Sequence, residues 1–378
     1  MLLFFSALSE LTSDLRPTAP PAVVSNGLSG FASFLETVKP IVPIPILLVI
    51  VPLIWLFFRG TWREIDEEAL RHRAEILAKG KTDPRPLVGL VMCALILAMQ
   101  EYYGGRGYFE QAIYPRIAKH YSPNHMSTLA RYDELYGFAW WAVTRIGGYV
   151  LPFFVWKVAF RKDSLRDLGL RTKGFFDHVW IYSLFLAVVL PAMLIVSAQP
   201  DFGSYYPFYK QAPRSWFDYL TWEAMYFAQF FALEMFFRGF WLGVLRKSFG
   251  SGAIFAMAVP YCMIHFGKPY LEAVGAIVAG IALGSLSMKT KSIYQGFLVH
   301  ITVAALMDWL SLRRRHCTPL TWWAPDTPVT SLTCLEQAGP RDALARHVEN
   351  VAIGVFVCVV GLVIVLVVRD RRKKAARI

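Results

Sequence analysis

Four ionisable residues in the second half of the chain have the types and the spacing to do chemistry together. Glu234 and Arg238 stand four positions apart in LEMFFRGF, His265 stands in YCMIHFG, and His300 stands in GFLVH. All four interrupt strongly apolar stretches. A charged side chain at the centre of a membrane helix costs about 2.5–3.5 kcal/mol on insertion scales, so such a residue usually has a partner or a task.

The helices expected around these residues place them at similar depths. Residues four apart share one face of a helix, so Glu234 and Arg238 can form an ion pair. Gly250, in the basic turn RKSFGSG, lies midway between Glu234 and His265. In an antiparallel hairpin rising about 1.5 Å per residue, these two side chains therefore lie nearly level. His300 follows the next basic turn by about ten residues, or roughly 15 Å of helix.

Such a set of groups could hydrolyse a peptide bond inside a bilayer. A glutamate in apolar surroundings, tuned by an arginine, can take a proton from water near neutral pH. One histidine could then hold the water, and the other could stabilise the oxyanion as the water attacks a carbonyl. We therefore expect Glu234 to act as the acid/base with Arg238 anchoring it, His265 to position the water, and His300 to support the oxyanion.

Other uses of the same residues stay open. Glu234, His265 and His300 could ligate zinc, although the chain has no HExxH motif and a glutamate mechanism requires no cofactor. The ion pair could merely join helices in a non-catalytic scaffold or immunity protein. A transporter could use the same groups as a proton relay, but the inverted repeat with broken helices expected there is not visible.

The composition predicts that lipid is the main solvent of the elements that carry these residues. The 378 residues are 56% hydrophobic and only 17% charged, against about 25% charged in soluble domains. The mean hydropathy is +0.42. We therefore predict an all-α, polytopic transmembrane helical bundle of about nine spans, each near the roughly 20 residues that cross a bilayer. The predicted spans are 41–58, 87–103, 137–160, 178–198, 217–245, 252–267, 271–288, 292–311 and 350–368.

The basic residues indicate an orientation and argue against nucleic acid as a partner. The formal net charge of +12 falls in patches between apolar spans, as the positive-inside rule describes. A loop from Arg59 to Arg85 and the tail RDRRKKAARI are two such patches, which we assign to the cytoplasm. The amino terminus is then external, and no cleavable signal peptide is evident. Three basic residues do not follow the positive-inside rule, because this orientation places Arg313, Arg314 and Arg315 outside.

Two further features concern the loop after residue 311 and the helix that carries Glu234. Cys317 and Cys334 share the external loop 312–349, where a disulfide is possible if that side is oxidising. Glu223 and Gln229 are interpreted as lining or solvent-end residues of the Glu234 helix.

The order of the motifs resembles the CPBP family, which comprises type II CAAX prenyl proteases and bacteriocin-processing or immunity proteins. The resemblance covers roughly residues 135–310, and SLRDLGLRTKG at 164–174 is similar to the family's entry to its core. The resemblance rests on three motifs, which contain Glu234 with Arg238, Tyr261 with His265, and His300.

The resemblance implies an intramembrane endopeptidase with an internal cavity, acting on a membrane protein or a lipid-anchored peptide. It implies that a glutamate and the first histidine activate water, and that the second histidine and an asparagine bind the oxyanion. Two positions depart from this pattern. Leu233 replaces the first of two paired glutamates, and Ala304 replaces the asparagine, while Asp308 lies too far along the helix to substitute for it.

The resemblance also suggests a division of the chain and a location. Residues 1–134 would hold a leader and two extra helices, 135–311 the peptidase core, and 312–378 an external loop, the last span and a basic tail. The variant of the motifs resembles a bacterial subgroup, which implies the bacterial inner membrane.

Overall fold

The computed structural model describes residues 37–38, 40–41, 43–120, 129–172, 179–197, 202–268, 270–326 and 328–375. The described part of the chain is almost wholly helical, and its only β-type pairing is an isolated bridge between Leu170 and Ser292. The prediction about a signal peptide concerns residues outside these ranges.

Eleven helices are labelled here in chain order, and shorter turns keep their ranges. The helices are α1 (Pro43–Ala78), α2 (Arg85–Tyr103), α3 (Asp133–Ala159), α4 (Val179–Val196), α5 (Trp216–Glu234), α6 (Leu242–Phe249), α7 (Gly252–Met263), α8 (Tyr270–Thr290), α9 (Tyr294–Arg314), α10 (Ser331–Glu336) and α11 (Ala338–Ala375). The shorter turns are Arg106–Tyr108, Phe109–Ile113, Tyr114–Ala118, Leu165–Leu168, Phe202–Tyr205, Ala212–Arg214 and the π-helical segment Met235–Trp241.

The helices confirm the prediction of an all-α membrane protein. Six helical stretches among the described residues are long and apolar enough to cross a bilayer: Pro43–Ala78, Arg85–Tyr103, Asp133–Ala159, Trp216–Phe249, Glu272–Thr290 and Tyr294–Arg314. The predicted spans 178–198 and 252–267 correspond to shorter apolar helices, and 350–368 lies within α11. The count of nine spans is therefore approximate.

The basic segment predicted as a loop from Arg59 to Arg85 is largely helical instead. Helix α1 continues to Ala78, well past its apolar half. Its polar extension is stabilised by pairs such as Arg63 with Glu67, one turn apart at 2.9 Å. The charge pattern located the end of the apolar stretch, but a helix does not end where its side chains become polar.

The chain divides into two compact units. Unit 1 comprises Met1–Gly89 and Phe240–Lys289. In unit 1, Trp62 on α1 donates to Ser285 on α8 at 2.9 Å. Helix α8 also approaches α7 closely, because a Cβ at Gly280 would lie 3.2 Å from Ala258.

Unit 2 comprises Leu90–Gly239 and Thr290–Ile378. Aromatic rings join its helices. Phe138 of α3 contacts Trp222 of α5 with centroids 4.7 Å apart, and Tyr149 of α3 stacks on Phe236 at 4.9 Å. Helix α9 meets α4 through Tyr182 and Thr302, whose hydroxyls are 3.0 Å apart. The division into segments 1–134, 135–311 and 312–378 stays a prediction.

A disulfide holds the loop that precedes α10. Cys317 and Cys334 are bonded, with Cα atoms 4.9 Å apart, so the disulfide considered from the sequence is present. The carbonyls of Thr321 and Trp322 in this loop accept from the N–H groups of Trp216 and Phe217. The loop therefore satisfies two of the donors that the first turn of α5 leaves open.

The three arginines that disagreed with the charge pattern are engaged within unit 2. Arg313 pairs with Asp342 at 2.6 Å and with Glu349 at 3.2 Å. Arg314 donates to the Ser197 hydroxyl at 3.1 Å, and Arg315 donates to the carbonyl of Ser311 at 3.2 Å. Their position at the end of α9 thus has a structural explanation that requires no change in the order of the spans.

Candidate functional site

Glu234 is the last residue of α5 and is completely buried. Its Oε1 lies 3.2 Å from a terminal nitrogen of Arg238 and 2.7 Å from Nδ1 of His300. Because an ionised carboxylate only accepts hydrogen bonds, this contact assigns the donating hydrogen to Nδ1 of His300. The ion pair predicted from the four-residue spacing is confirmed, and His300 joins it from α9.

Helix α9 approaches α5 closely beside Glu234 because Gly296 has no side chain. A Cβ at Gly296 on α9 would lie only 2.5 Å from Oε2 of Glu234, so any other residue there would collide with the carboxylate. No described residue donates a hydrogen bond to Oε2. Phe230 stacks on the His300 imidazole with centroids 5.0 Å apart and planes 20° apart. The ring is thereby held in the orientation that points Nδ1 at Glu234.

Arg238 belongs to the π-helical segment Met235–Trp241 that follows α5. Segments of this kind interrupt α-helices at functional sites more often than elsewhere. The segment is packed tightly against the turn at Leu165–Leu168, because a Cβ at Gly239 would lie 2.6 Å from the Leu168 carbonyl oxygen. Gly169 continues that turn at φ +87°, a left-handed conformation that favours glycine. The SLRDLGL motif therefore positions the neighbour of Arg238.

The three grouped residues differ in their access to solvent. The side chains of Glu234 and Arg238 are 0% exposed, whereas that of His300 is 14% exposed. A substrate or a water molecule would meet the imidazole before it met the carboxylate. The accessible part of this site is therefore His300, with Glu234 and Arg238 behind it.

His265 lies in unit 1, just beyond the end of α7 at Met263 and not within a helix as the span 252–267 implied. Its Nδ1 is 2.7 Å from the carbonyl oxygen of Tyr261, and its ring lies 4.9 Å from the Tyr261 ring. The aromatic-x-x-x-His spacing thus reflects a contact between the two residues. The expectation that His265 positions a water stays a prediction.

The two positions that depart from the family pattern are apolar and buried. Leu233 is 6% exposed and Ala304 is 5% exposed. Ala304 belongs to an aromatic cluster in unit 2 that includes Trp222 and Tyr226. Neither position offers a polar atom to a reaction.

Zinc does not fit the described residues. They contain no group of three or more histidine, cysteine, aspartate or glutamate side chains that could hold a metal ion. Glu234 and His300 make a hydrogen bond with each other instead of presenting their ligating atoms to a common centre. We therefore derive no step through a metal.

The sequence interpretation missed that two further acidic side chains in unit 2 are buried. Glu223 on α5 is 5% exposed and Asp308 on α9 is 0% exposed, so the solvent-end interpretation of Glu223 is wrong. Gln229, with 3% exposure, is buried as well. The signal was present in the sequence, because Glu223 and Asp308 both lie within predicted spans.

Comparison with known proteins connects the centre of the chain to one family. Residues 215–306 match the family model described as Rce1-like, "Type II CAAX prenyl endopeptidase Rce1-like". The matched segment is less than half of the 378 residues. It begins at the cap of α5 and contains Glu234, Arg238, His265 and His300. No curated protein and no solved structure matches the chain. This match confirms the resemblance inferred from the motifs, in that residues 215–306 are similar to the Rce1-like type II CAAX prenyl endopeptidase model.

Proposed function

We propose that this integral membrane protein is an intramembrane endopeptidase that hydrolyses a peptide bond of a membrane-associated or lipid-anchored protein. The observation that carries the proposal is the 2.7 Å contact between Glu234 Oε1 and His300 Nδ1, inside the segment that matches the Rce1-like model. A carboxylate that orients a histidine in this way is a recurring arrangement in hydrolases.

The burial of Glu234 favours a water activated by the Glu234–His300 couple over one activated by Glu234 alone. With a hydrogen on Nδ1, Nε2 of His300 is the acceptor nitrogen of the ring. Nε2 takes a proton from water, and the hydroxide adds to the carbonyl carbon of the scissile bond. The Glu234 carboxylate stabilises the imidazolium that results, and this imidazolium then protonates the leaving amine. Arg238 holds the carboxylate in place.

The remaining assignments follow the resemblance. His265 positions the water. The substrate is a peptide held at the bilayer, either as a membrane segment or by a lipid anchor, and the location is the bacterial inner membrane.

One observation favours a second function. Leu233 and Ala304 remove two polar groups that the family pattern places at the reaction centre, and both positions are buried. The same fold could therefore act as a proteolytically inactive scaffold or immunity protein, in which Glu234 and Arg238 only join helices.

Cleavage in the host cell separates the two functions. Wild type would be compared with Glu234→Gln, His300→Ala and His265→Ala, and membrane and secreted precursors would be followed by mass spectrometry for new termini. Glu272→Gln is the matched control, because Glu272 forms an ion pair with Lys268 in unit 1. If the protein is a peptidase, cells that express the site variants should accumulate one uncut precursor, and cells that express the control should not.

The scaffold is supported if every variant remains abundant and all precursors are processed as in wild type, although deleting the gene has a phenotype. Abundance would be measured in the same membranes, so that loss of the protein is not mistaken for loss of chemistry.

A further inference from the structure

Helix α3 carries an arginine near the middle of its length. Arg145 follows Asp133 by twelve residues and precedes Ala159 by fourteen, which corresponds to about 18 Å and about 21 Å of helix. This helix is one of the stretches that are long and apolar enough to cross a bilayer. A cation at such a depth is costly, so it usually has an anionic partner or a function.

The guanidinium of Arg145 has no carboxylate partner among the described residues. Its Nη1 donates to the Tyr149 hydroxyl at 3.0 Å, and its buried Nε donates to no described residue. The Trp141 ring lies beside it, with 5.9 Å between Cζ and the ring centroid. By contrast, Arg238 in the same unit lies 3.2 Å from the Glu234 carboxylate. Neutral groups therefore hold the Arg145 cation in place, and no described carboxylate compensates its charge.

Arg145 lies on the side of α3 that faces the protein. Ala142 and Tyr149, three residues before it and four residues after it, share this side and are 2% and 0% exposed. Val143 and Phe154, on the opposite side, are 66% and 67% exposed. Arg145 itself is only partly buried. A ligand that enters unit 2 between the helices would therefore meet its guanidinium.

Aromatic contacts between α3 and α5 determine the depth of Arg145. Trp141 lies against Tyr226 with ring centroids 6.3 Å apart, and Tyr149 stacks on Phe236 at 4.9 Å. The two helices therefore run side by side in the same direction over this stretch. Arg145 lies halfway between the two contacts.

The corresponding position on α5 is next to the candidate site. Halfway between residues 226 and 236 is Phe231, which precedes Glu234 by three residues, or about 4.5 Å of helix. The neighbouring Phe230 stacks on the His300 imidazole. Arg145 therefore lies at nearly the same depth as Glu234 and His300, within the same compact unit.

From this geometry we propose that Arg145 binds a carboxylate of the peptide substrate and so positions the peptide beside Glu234 and His300. This proposal rests on the proposed peptidase function. The planar guanidinium can bind a carboxylate through two parallel N–H donors, which compensates the charge. The phosphates of bilayer lipids lie about 15 Å or more from the bilayer centre, so they do not reach this depth, whereas a peptide in the site does.

Stability distinguishes a binding role from a structural one. An uncompensated charge in apolar surroundings destabilises the folded state, so Arg145→Met should melt in detergent at or above the wild-type temperature. Arg346→Met is the control, because Arg346 is exposed on α11, and it should melt as wild type does. An Arg145→Met protein that melts well below wild type would show that Arg145 serves the fold, which overturns the proposal.

Binding would be measured by fluorescence polarisation with a dye-labelled, N-acylated apolar peptide of leucine and alanine. Its three forms have a free terminal carboxylate, an amidated terminus, or an amidated terminus with one internal glutamate. Wild type and Arg346→Met should bind a carboxylate form about tenfold more tightly than the uncharged form, since hydrogen bonds to charged groups are strong. Arg145→Met should bind all three forms alike, and Arg145→Lys, which retains the charge, should keep part of the preference. The form that is preferred shows whether the carboxylate is terminal or belongs to a side chain.

Equal affinity of wild type for the three forms overturns the proposal, and so does a preference that survives Arg145→Met. If phosphatidylglycerol raises the melting temperature of wild type but not of Arg145→Met, and no peptide form is preferred, the site binds a lipid phosphate and the proposal is wrong. Binding requires no turnover, so the two proposals can fail separately. A preference without processing of any precursor in the host cell removes the peptidase function, whereas processing without a preference removes only the carboxylate site.

Discussion

Glu234 is reached only through its neighbours, because its carboxylate is completely buried between Arg238 and His300. Removing one partner of a buried ion pair leaves an uncompensated charge, which typically costs about 3–5 kcal/mol. The Glu234–Arg238 pair therefore has a structural role whether or not the protein is a peptidase. For that reason, every variant that tests chemistry must also be checked for folding and abundance.

Gly296→Ala tests the carboxylate without altering any ionisable group. The added Cβ would lie 2.5 Å from Oε2, so Glu234 must move away from His300. Overpacking of this kind costs about 1–3 kcal/mol, and a displacement near 1 Å in a catalytic group can lower a rate about 100-fold. We expect a melting temperature below that of wild type and a cleavage rate reduced by about that factor.

Gly147→Ala is the matched control, since a Cβ at that helical glycine would meet nothing within 4 Å. The control should melt at or above the wild-type temperature, because alanine favours helix over glycine by about 1 kcal/mol. If Gly296→Ala processes its precursor at the wild-type rate, the Glu234–His300 contact does not limit the reaction.

At the scale of the element, helix α5 carries both Glu223 and Glu234. The start of this helix is hydrogen-bonded by a loop far along the chain. Ser215 caps its first turn by accepting from the Asp218 N–H at 3.1 Å, and the loop carbonyls of Thr321 and Trp322 accept from the N–H groups of Trp216 and Phe217. The start of α5 is therefore coupled to the disulfide that restrains this loop.

Replacing Cys317 and Cys334 together by serine should destabilise the protein. The disulfide closes a loop with a sequence separation of 17 residues, for which loop-entropy arguments give about 3 kcal/mol. Thermal unfolding in detergent without reductant measures the loss, and hydrogen exchange should show the first turn of α5 opening. Cys358→Ser, at an exposed free cysteine, should leave both unchanged. Equal unfolding curves for the double variant and wild type would mean that the loop is held without the disulfide.

The turn between α1 and α2 should make stability depend on pH. Burial raises the pKa of Asp83, but hydrogen bonds from His72 and Arg85 lower it by more, so it lies below its usual value. A carboxyl group of this kind stabilises the folded state above its unfolded pKa of about 3.9 and loses that contribution as the pH falls through its folded pKa. Asp83→Asn should therefore melt below wild type at pH 7, with the difference shrinking once the pH is under about 4. A difference that stays constant with pH would assign the effect to packing.

For the whole molecule, the charge pattern and the disulfide predict the same orientation. Disulfides persist on the oxidising side of a membrane, and the positive-inside rule places the basic segments in the cytoplasm. The loop that contains Cys317 and Cys334 should then be external.

Single cysteines introduced for labelling measure this orientation in a background that lacks the free cysteines Cys93, Cys262 and Cys358 but keeps the Cys317–Cys334 disulfide. Ser331→Cys, at the start of α10, should react with a membrane-impermeant thiol reagent added to intact cells, whereas Lys79→Cys should react only after the membrane is opened. Both positions are exposed. Reaction at position 79 in intact cells would reverse the orientation and would place the loop 312–349 in the cytoplasm.

Local properties of the sequence determined most of what concerns the membrane and the chemistry. Apolar stretches identified the helices because the hydrocarbon core demands a run of about 20 apolar residues in each span. Glu234 and Arg238 could be paired from the sequence because residues four positions apart in a helix share one face. The motif order was sufficient to indicate the family, since it reflects the types and spacing of residues along the chain.

Tertiary structure decided which atoms meet and which groups water can reach. The approach of His300 to Glu234 depends on Gly296, on the stacking of Phe230 and on the packing of α9 against α5, none of which follows from spacing along one helix. The burial of Glu223 likewise depends on how the other helices pack around α5. Such contacts join residues far apart in the chain, and their geometry is determined by how whole side chains fill space, which a local pattern does not encode.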